Sequence, residues 1–189
     1  MAEINYITAI DDDISILHIS NRKKENFEII IDTEDTEKIK NCGFKWNMGW
    51  NVIKGHRYKG IYYVKASKYL GIIEEKPRYE SIYLHRFILG ISERFVLVDH
   101  INRNSLDNRK SNLRITNFGG NTKNRRGENV NNTSGERNVS LINGWYVVQI
   151  QVDGKNTVLG KFSDIEQAKA TAGQARQKYY GDYSGDSPQ

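Results

Sequence analysis

A modular α+β fold is what the sequence predicts, on three observations. Short alternating runs recur through residues 1–80, "FEIIID" at 27–32 and "GIYYVKAS" at 60–67 among them, with a helical segment between. An Asp-His pair at 99–100 ends a further apolar run and leads into a loop, another run and a short helical pattern. A hairpin and one long helix then close the chain, set off by a stretch rich in Asn, Gly and Ser. At 189 residues, 38% hydrophobic and 27% charged, the chain is long enough for one or two small domains and is neither fibrous nor disordered.

Each element has its own signal. In the first part, 1–80, "TEDTEKIKNCG" (33–43) predicts a short helix with Thr33 as N-cap, acids in its first turn, lysines later and Gly43 as its stop. Trp46 and Trp50 are expected in the core of this small α/β segment. In the second part, 81–126, the strand ending at His100 must stop or twist there, because neighbouring strand residues point to opposite sides. "NLRIT" (112–116) reads as the returning strand, Thr116 as an N-cap, and "NFGGNTKNRRG" (117–127) as a short helix. "GENVNNTSGE" (127–136) has no apolar periodicity and reads as a linker.

The third part, 137–189, is the plainest. "WYVVQIQV" (145–152) alternates, Asp153-Gly154 is a strong hairpin signal, and "KNTVLGKF" (155–162) returns. "SDIE" (163–166) offers a capping box from Ser163 to Glu166, opening a helix that runs to about Tyr180 and stops at Gly181. Ile165, Ala168, Ala172 and Ala175 make a small-residue stripe that can lie close on a sheet. Alternation puts Tyr146, Val148, Ile150 and Val152 against that helix and leaves Trp145, Val147, Gln149 and Gln151 on the open face. A polar-aromatic sheet face is what a nucleic-acid groove reader needs.

Charge and cysteine content narrow the partners. The formal net charge of +5 favours a polyanion. One cysteine, Cys42, excludes a disulfide framework and a cysteine-built zinc site, which fits a reducing compartment. Residues 1–20 carry Asp11, Asp12 and Asp13 and no long apolar core, so neither a signal peptide nor a spanning helix is expected, and the protein should be soluble and cytoplasmic.

The chemistry concentrates at 98–126. Hydrolysing a phosphodiester near neutral pH needs a base for water, a cation for the leaving oxyanion and donors for the phosphates. His100 supplies a base of ordinary pKa near 6.5, and Asp99 a hard oxygen ligand suited to Mg²⁺. A β-β-α hairpin folds the following helix back over the strands and can bring Asn121 to Asp99, so that the two grip one ion. Arg103, Arg109, Lys110, Arg114, Lys123, Arg125 and Arg126 stand against one acid, Asp107, and are expected to position phosphates. His18 and His56 belong to no such constellation.

Two resemblances follow from these residues. "LHRFILG" (84–90), "VDHIN" (98–102), "DNRKSNLRIT" (107–116) and "NTKN" (121–124) together resemble the HNH endonucleases found free-standing in phages and encoded in group I introns. The resemblance implies a ββα-metal (His-Me finger) hairpin in which Asp99 and Asn121 bind one Mg²⁺ or Mn²⁺. It also implies that His100 is the general base, that Asn112 braces the loop, and that His85 is structural or on the DNA side. It further implies 5′-phosphate and 3′-hydroxyl ends and a phage-encoded protein in a bacterial host. "FEIIIDTEDTEKIKNCGFKW" is more loosely similar to the segment that precedes this hairpin in those enzymes.

Residues 135–184 resemble the Apetala2-type DNA-binding domain, in which three strands lie in the major groove and one helix packs behind them. Arg137, Ser140, Gln149 and Gln151 fall where that family contacts DNA, with Trp145 on the same face. Asn138 replaces the family's usual glycine, Ser140 and Gln151 stand where arginines are frequent, and Val158 takes a tryptophan position. The expected protein is thus a sequence-preferring endonuclease acting on double-stranded DNA. One such site cuts one strand, so nicking by a monomer and a double-strand break by a dimer both stay open. A non-catalytic DNA-binding regulator that keeps the hairpin as scaffold is the competing reading, and a non-specific nuclease toxin the third.

Overall fold

The structure, a computed structural model, describes residues 5–21, 23–51, 61–93, 95–116, 123 and 132–184. It is a mixed α+β protein built mostly from antiparallel strands. The chain divides into two compact units, Met1–His100 with Asn104–Ile115, and Ile101–Arg103 with Thr116–Gln189. The boundary expected at residue 80 has no counterpart in this division, and the physical reason is packing. Strands from both sides of it share one core.

The first unit opens with a three-stranded meander, β1 (Asn5–Ala9), β2 (Ile14–Ser20) and β3 (Asn26–Asp32). Leu17 lies opposite Ile29 in the antiparallel register, and these two with Ile19 and Ile31 are buried on one face, as strand alternation requires. Each such side chain contributes about 1.5–3 kcal/mol when fully buried. The helical turn that follows starts as 3₁₀ (Thr33–Asp35) and becomes α1 (Thr36–Asn41), which buries Ile39. Thr33 is not its N-cap. Asp32 and Asp35 hold the flanking positions without a side-chain cap bond, while the Thr33 hydroxyl bonds Ser15 Oγ at 2.9 Å. Gly43, at φ +72, ends this segment as expected.

A second antiparallel sheet follows from β4 (Asn47–Asn51), β5 (Ile61–Ile73) and β6 (Lys76–Tyr83). Trp46 is buried against it, while the Trp50 side chain lies outside the described residues. Val64 and Ala66 point into the core, but beyond Ala66 the β5–β6 ribbon is exposed, with Tyr69 and Tyr79 in ring contact at 5.4 Å. Helix α2 (Leu84–Ile88) buries Leu84 and Ile88, and β7 (Leu97–His100) pairs with β8 (Leu113–Thr116). Leu17, Ile31, Ile39, Trp46, Val64, Leu84 and Leu113 thus belong to one cluster that spans residues 17 to 113.

The second unit contains β9 (Val139–Ile142), β10 (Trp145–Val152) and β11 (Lys155–Phe162), in the order β11-β10-β9, with α3 (Ile165–Tyr180) packed on them. Asp153 and Gly154 both take positive φ, as the hairpin signal requires. Val139, Val148, Ala168 and Ala172 form the buried cluster, with Tyr146, Leu159 and Phe162 beside it. The N-cap of α3 is Asp164, whose carboxylate accepts from Glu166 N at 3.0 Å, and not Ser163. Two capping residues stand side by side there, and the carboxylate takes the position that also favours the helix dipole. A register shift between Val148 and Gln149 sets Leu159 as an extra residue in β11. The helix expected at 117–127 falls almost wholly outside the described residues, with only Lys123 seen, in helical conformation, and Thr116, its expected cap, is the last residue of β8. Among the described residues no helix is long and apolar enough to cross a membrane.

Candidate active site

His100 closes β7, and the chain turns away at once, with Arg103 at φ +64. The loop behind it is fixed from several sides. Ile30 N donates to Leu106 O at 2.9 Å and Asn108 N to Ile30 O at 2.7 Å, so the loop forms a parallel bridge onto β3. Ser105 Oγ bonds Tyr62 O, and Lys110 N donates to Asp32 Oδ2 at 2.7 Å. Inside the loop, Asn112 is buried and its Nδ2 donates to Asp107 O at 2.7 Å. Asp107 is buried too, and Arg109 grips it by two bonds, Nε to Oδ1 at 2.9 Å and a terminal nitrogen to Oδ2 at 2.7 Å.

Around His100 the side chains are aromatic and polar. His85, from α2, presents its ring nearly perpendicular at 5.2 Å between centroids. Tyr63, from β5, lies 6.2 Å from the His100 ring and 5.9 Å from that of His85, and Tyr83 lies 5.6 Å from His85. Asn108 Oδ1 stands 3.5 Å from His100 Nε2. Burial pushes the His85 imidazole down to about 3, with the charges of His100 and Arg86 adding to the effect. His100 is also pushed below its ordinary value, first by burial, against the opposing pull of Asn108, Asp99 and Asp107. Both rings are therefore neutral at physiological pH, and a neutral imidazole is the state that can accept a proton. Burial raises the Tyr63 phenol, and the nearby Asp99 and Tyr83 raise it further.

Asp99 lies beside this cluster in a largely buried ion pair with Arg114, whose terminal nitrogen approaches Oδ2 at 2.9 Å and whose Nε approaches it at 3.3 Å. The donor chemistry suits Mg²⁺, a carboxylate oxygen being the hard ligand that this ion takes with few protein partners. Its expected companion Asn121 lies outside the described residues. Among the described residues one acidic group, Asp32, Glu34 and Asp35, has carboxylates close enough to one another for a cation. Lys110 already fills it, with Nζ 2.6 Å from Glu34 Oε1 and in a looser ion contact with Asp35 Oδ2 at 3.1 Å.

The basic residues turn out less available to phosphates than their count suggests. Arg109, Lys110 and Arg114 are engaged by Asp107, by Glu34 and Asp35, and by Asp99. Lys123 sits over the Tyr180 ring at 5.2 Å, and Arg125 and Arg126 lie outside the described residues. Arg137 corrects an expectation most directly. Its guanidinium is buried and donates to Ser184 O at 2.9 Å and Lys123 O at 2.5 Å, so in this conformation it ties the ends of the second unit together rather than facing a ligand.

On the sheet, Trp145 is half exposed, Gln151 is exposed, and Ser140 and Gln149 are partly so. Val147, expected on the same open face, is buried in the central strand between Ser140 and Lys161. Asn138 stands at φ +66, which explains physically why a glycine is at home there. Its Nδ2 donates to Gln149 O at 3.0 Å.

Sequence reasoning did not single out Tyr63, Tyr83 or Asn108. The first two come from strands of the preceding sheet, and no local pattern announces them. Asn108 stood in the quoted loop, and only its burial marks it out. Compared with family models, with curated proteins and with solved structures, the chain matches none.

Proposed function

We propose that this chain is a DNA endonuclease of the HNH type, with a three-stranded Apetala2-like reader behind it. The observation that carries the reading is the setting of His100: a neutral, buried imidazole at the end of β7, next to Asp99, behind a loop braced by Asn112. A surface loop with an incidental Asp-His pair needs neither the burial nor the brace.

In this reading His100 takes a proton from a water molecule as the water oxygen attacks phosphorus in line, and the bond to the 3′ oxygen breaks. A divalent cation, Mg²⁺ or Mn²⁺, held by Asp99 and Asn121, supplies charge neutralisation at the leaving oxygen when bound. His85, neutral at physiological pH, packs edge-on against the base and adds no competing charge. The products carry 5′-phosphate and 3′-hydroxyl ends. Trp145, Ser140, Gln149 and Gln151 face the groove edges of double-stranded DNA, while Arg103 and the residues around it lie toward phosphates.

The test is cleavage of supercoiled plasmid with Mg²⁺, run beside EDTA and the His100→Ala protein. Metal-dependent nicked or linear product, lost in both controls, is expected. DNA binding in a gel shift with no cleavage under any metal would replace the nuclease with the regulator that uses the hairpin as scaffold.

A further inference from the structure

We propose that Gln149 and Asn156 form a paired-amide element that reads adenine in an A·T base pair, with Val158 beside it for the thymine methyl. The base assignment, though not the pairing, rests on the reading of this sheet face as one that meets the major groove of DNA.

In the register of β10 and β11, Val158 stands opposite Gln149 and Asn156 opposite Gln151, so these side chains share the face away from buried Ile150. Asn156 reaches diagonally across the strands and donates from Nδ2 to Gln149 Oε1 at 3.2 Å. Asn138 holds the Gln149 main chain at both of its polar groups. The Gln149 N–H donates to Asn138 O at 2.9 Å, and the Gln149 carbonyl accepts from Asn138 Nδ2 at 3.0 Å. Gln149 is thus fixed in backbone and side chain before any ligand arrives, which removes part of the rotamer entropy that a long polar side chain loses on binding. Gln151 is spent differently, its Nε2 donating to Gly154 O at 3.3 Å in the hairpin turn.

A bond between two amides uses one NH2 group and one carbonyl, and it leaves one of each over whichever way round the pair is set. As the pair stands, Gln149 Nε2 is the remaining donor and Asn156 Oδ1 the remaining acceptor. Adenine alone among the four bases carries an acceptor, N7, beside a donor, the N6 amino group, on its major-groove edge. Guanine carries two acceptors there, and one of them would meet the amide oxygen. Arginine and lysine, the usual readers of guanine, occupy none of the positions 149, 151, 156 and 158. Val158 is 54% exposed opposite Gln149, and an exposed apolar side chain in a groove suits the thymine methyl. The amide pair and the valine therefore agree on the same base pair.

The experiment is a binding selection from random-sequence duplexes with the full chain in EDTA, followed by gel shifts on the duplex selected. The wild type is expected to enrich an A·T pair whose preference disappears in Gln149→Ala and in Asn156→Ala, while the rest of the selected sequence persists. On that duplex, 7-deazaadenine, which lacks the N7 acceptor, and purine, which lacks the N6 amino group, should each weaken wild-type binding about tenfold and leave the doubly substituted protein unaffected. Uracil in place of the thymine should weaken the wild type and not Val158→Ala. The base analogues probe the wild type itself, so the assignment does not depend on any variant. A selected sequence in which neither analogue weakens binding at any adenine, or in which the variants alter only a G·C position, overturns the base assignment and leaves the reader standing. Recovery of no sequence above the random pool removes the reader and the base assignment together. In the free protein, ¹⁵N relaxation of the Gln149 side-chain amide should report an ordered group that becomes mobile in Asn156→Ala, and a mobile amide in the wild type overturns the pairing without any DNA.

Discussion

Acidification should destabilise the first unit through His85, and the size of the effect follows from its burial. The imidazole projects from α2 against the rings of Tyr63, Tyr83 and His100, with Arg86 next in the chain, and its pKa is held at about 3. In the unfolded chain it returns to about 6.5. Because the folded value is the lower one, the unfolded state binds the proton first as pH falls. Stability is therefore unaffected above about 6.5 and is lost progressively between there and about 3. At pH about 5 the loss is roughly 1.5 pK units, or about 2 kcal/mol at 1.36 kcal/mol per unit. That is a large part of a typical total of about 5–15 kcal/mol.

Urea unfolding followed by tryptophan fluorescence measures it, since Trp46 lies in the core of this unit. Between about pH 7 and about pH 5 the wild type should lose roughly 2 kcal/mol more than His85→Gln, whose amide does not titrate in this range. Carboxylates away from this cluster titrate alike in both proteins, so the difference reports His85 together with its charge coupling to His100. Equal losses in the two would refute the reasoning.

Three further outcomes are expected. Gly160→Ala places a Cβ 2.9 Å from the Phe162 ring, which packs at the core beneath α3, so it should cost about 1–3 kcal/mol in thermal unfolding of the second unit. Arg114→Gln leaves the largely buried Asp99 without its guanidinium and should cost about 3 kcal/mol, part of it recovered on adding Mg²⁺ if Asp99 ligates the ion, as the shift in urea midpoint will show. Trp145→Ala, at a half-exposed position, should leave the melting temperature unchanged and weaken DNA binding roughly tenfold in a gel shift, about 1–2 kcal/mol.

What the sequence made legible was local. Asp153-Gly154 determined a hairpin because few dipeptides accept two positive φ values, and Gly43 and Gly181 marked helix ends for the same reason. The alternation in 145–152 placed Tyr146 and Val148 correctly against the helix, although the burial of Val147 depended on cross-strand neighbours that alternation does not see. Caps were misplaced by one to a few residues at Thr33 and Ser163, where several residues capable of capping stand close together. The site showed the sharper limit. Asp99, His100 and Asn112 were visible as types at a spacing, whereas the Asp99–Arg114 pair and the Tyr63 and His85 walls depend on which strands pack together. Charge counting was least informative at Arg109, Lys110 and Arg114, because a count of cations carries no information about the carboxylates that fold against them, and a family position did not foretell the carbonyl partners of Arg137.

The bridge between Ile30 and Asp107 has a consequence for how the protein is made and how it opens. Lys110 and Asp32, bonded across it, are 78 residues apart, so the loop behind His100 cannot assemble from the segment that encodes it and must wait for the first meander to be in place. A nascent chain therefore completes this loop late, onto a template synthesised first. In the finished protein the Asn108 amide is sealed against β3, and its deuterium exchange should follow the slowest, global opening of the unit, with the loop sharing the lifetime of its oldest strand rather than the mobility of an ordinary connection.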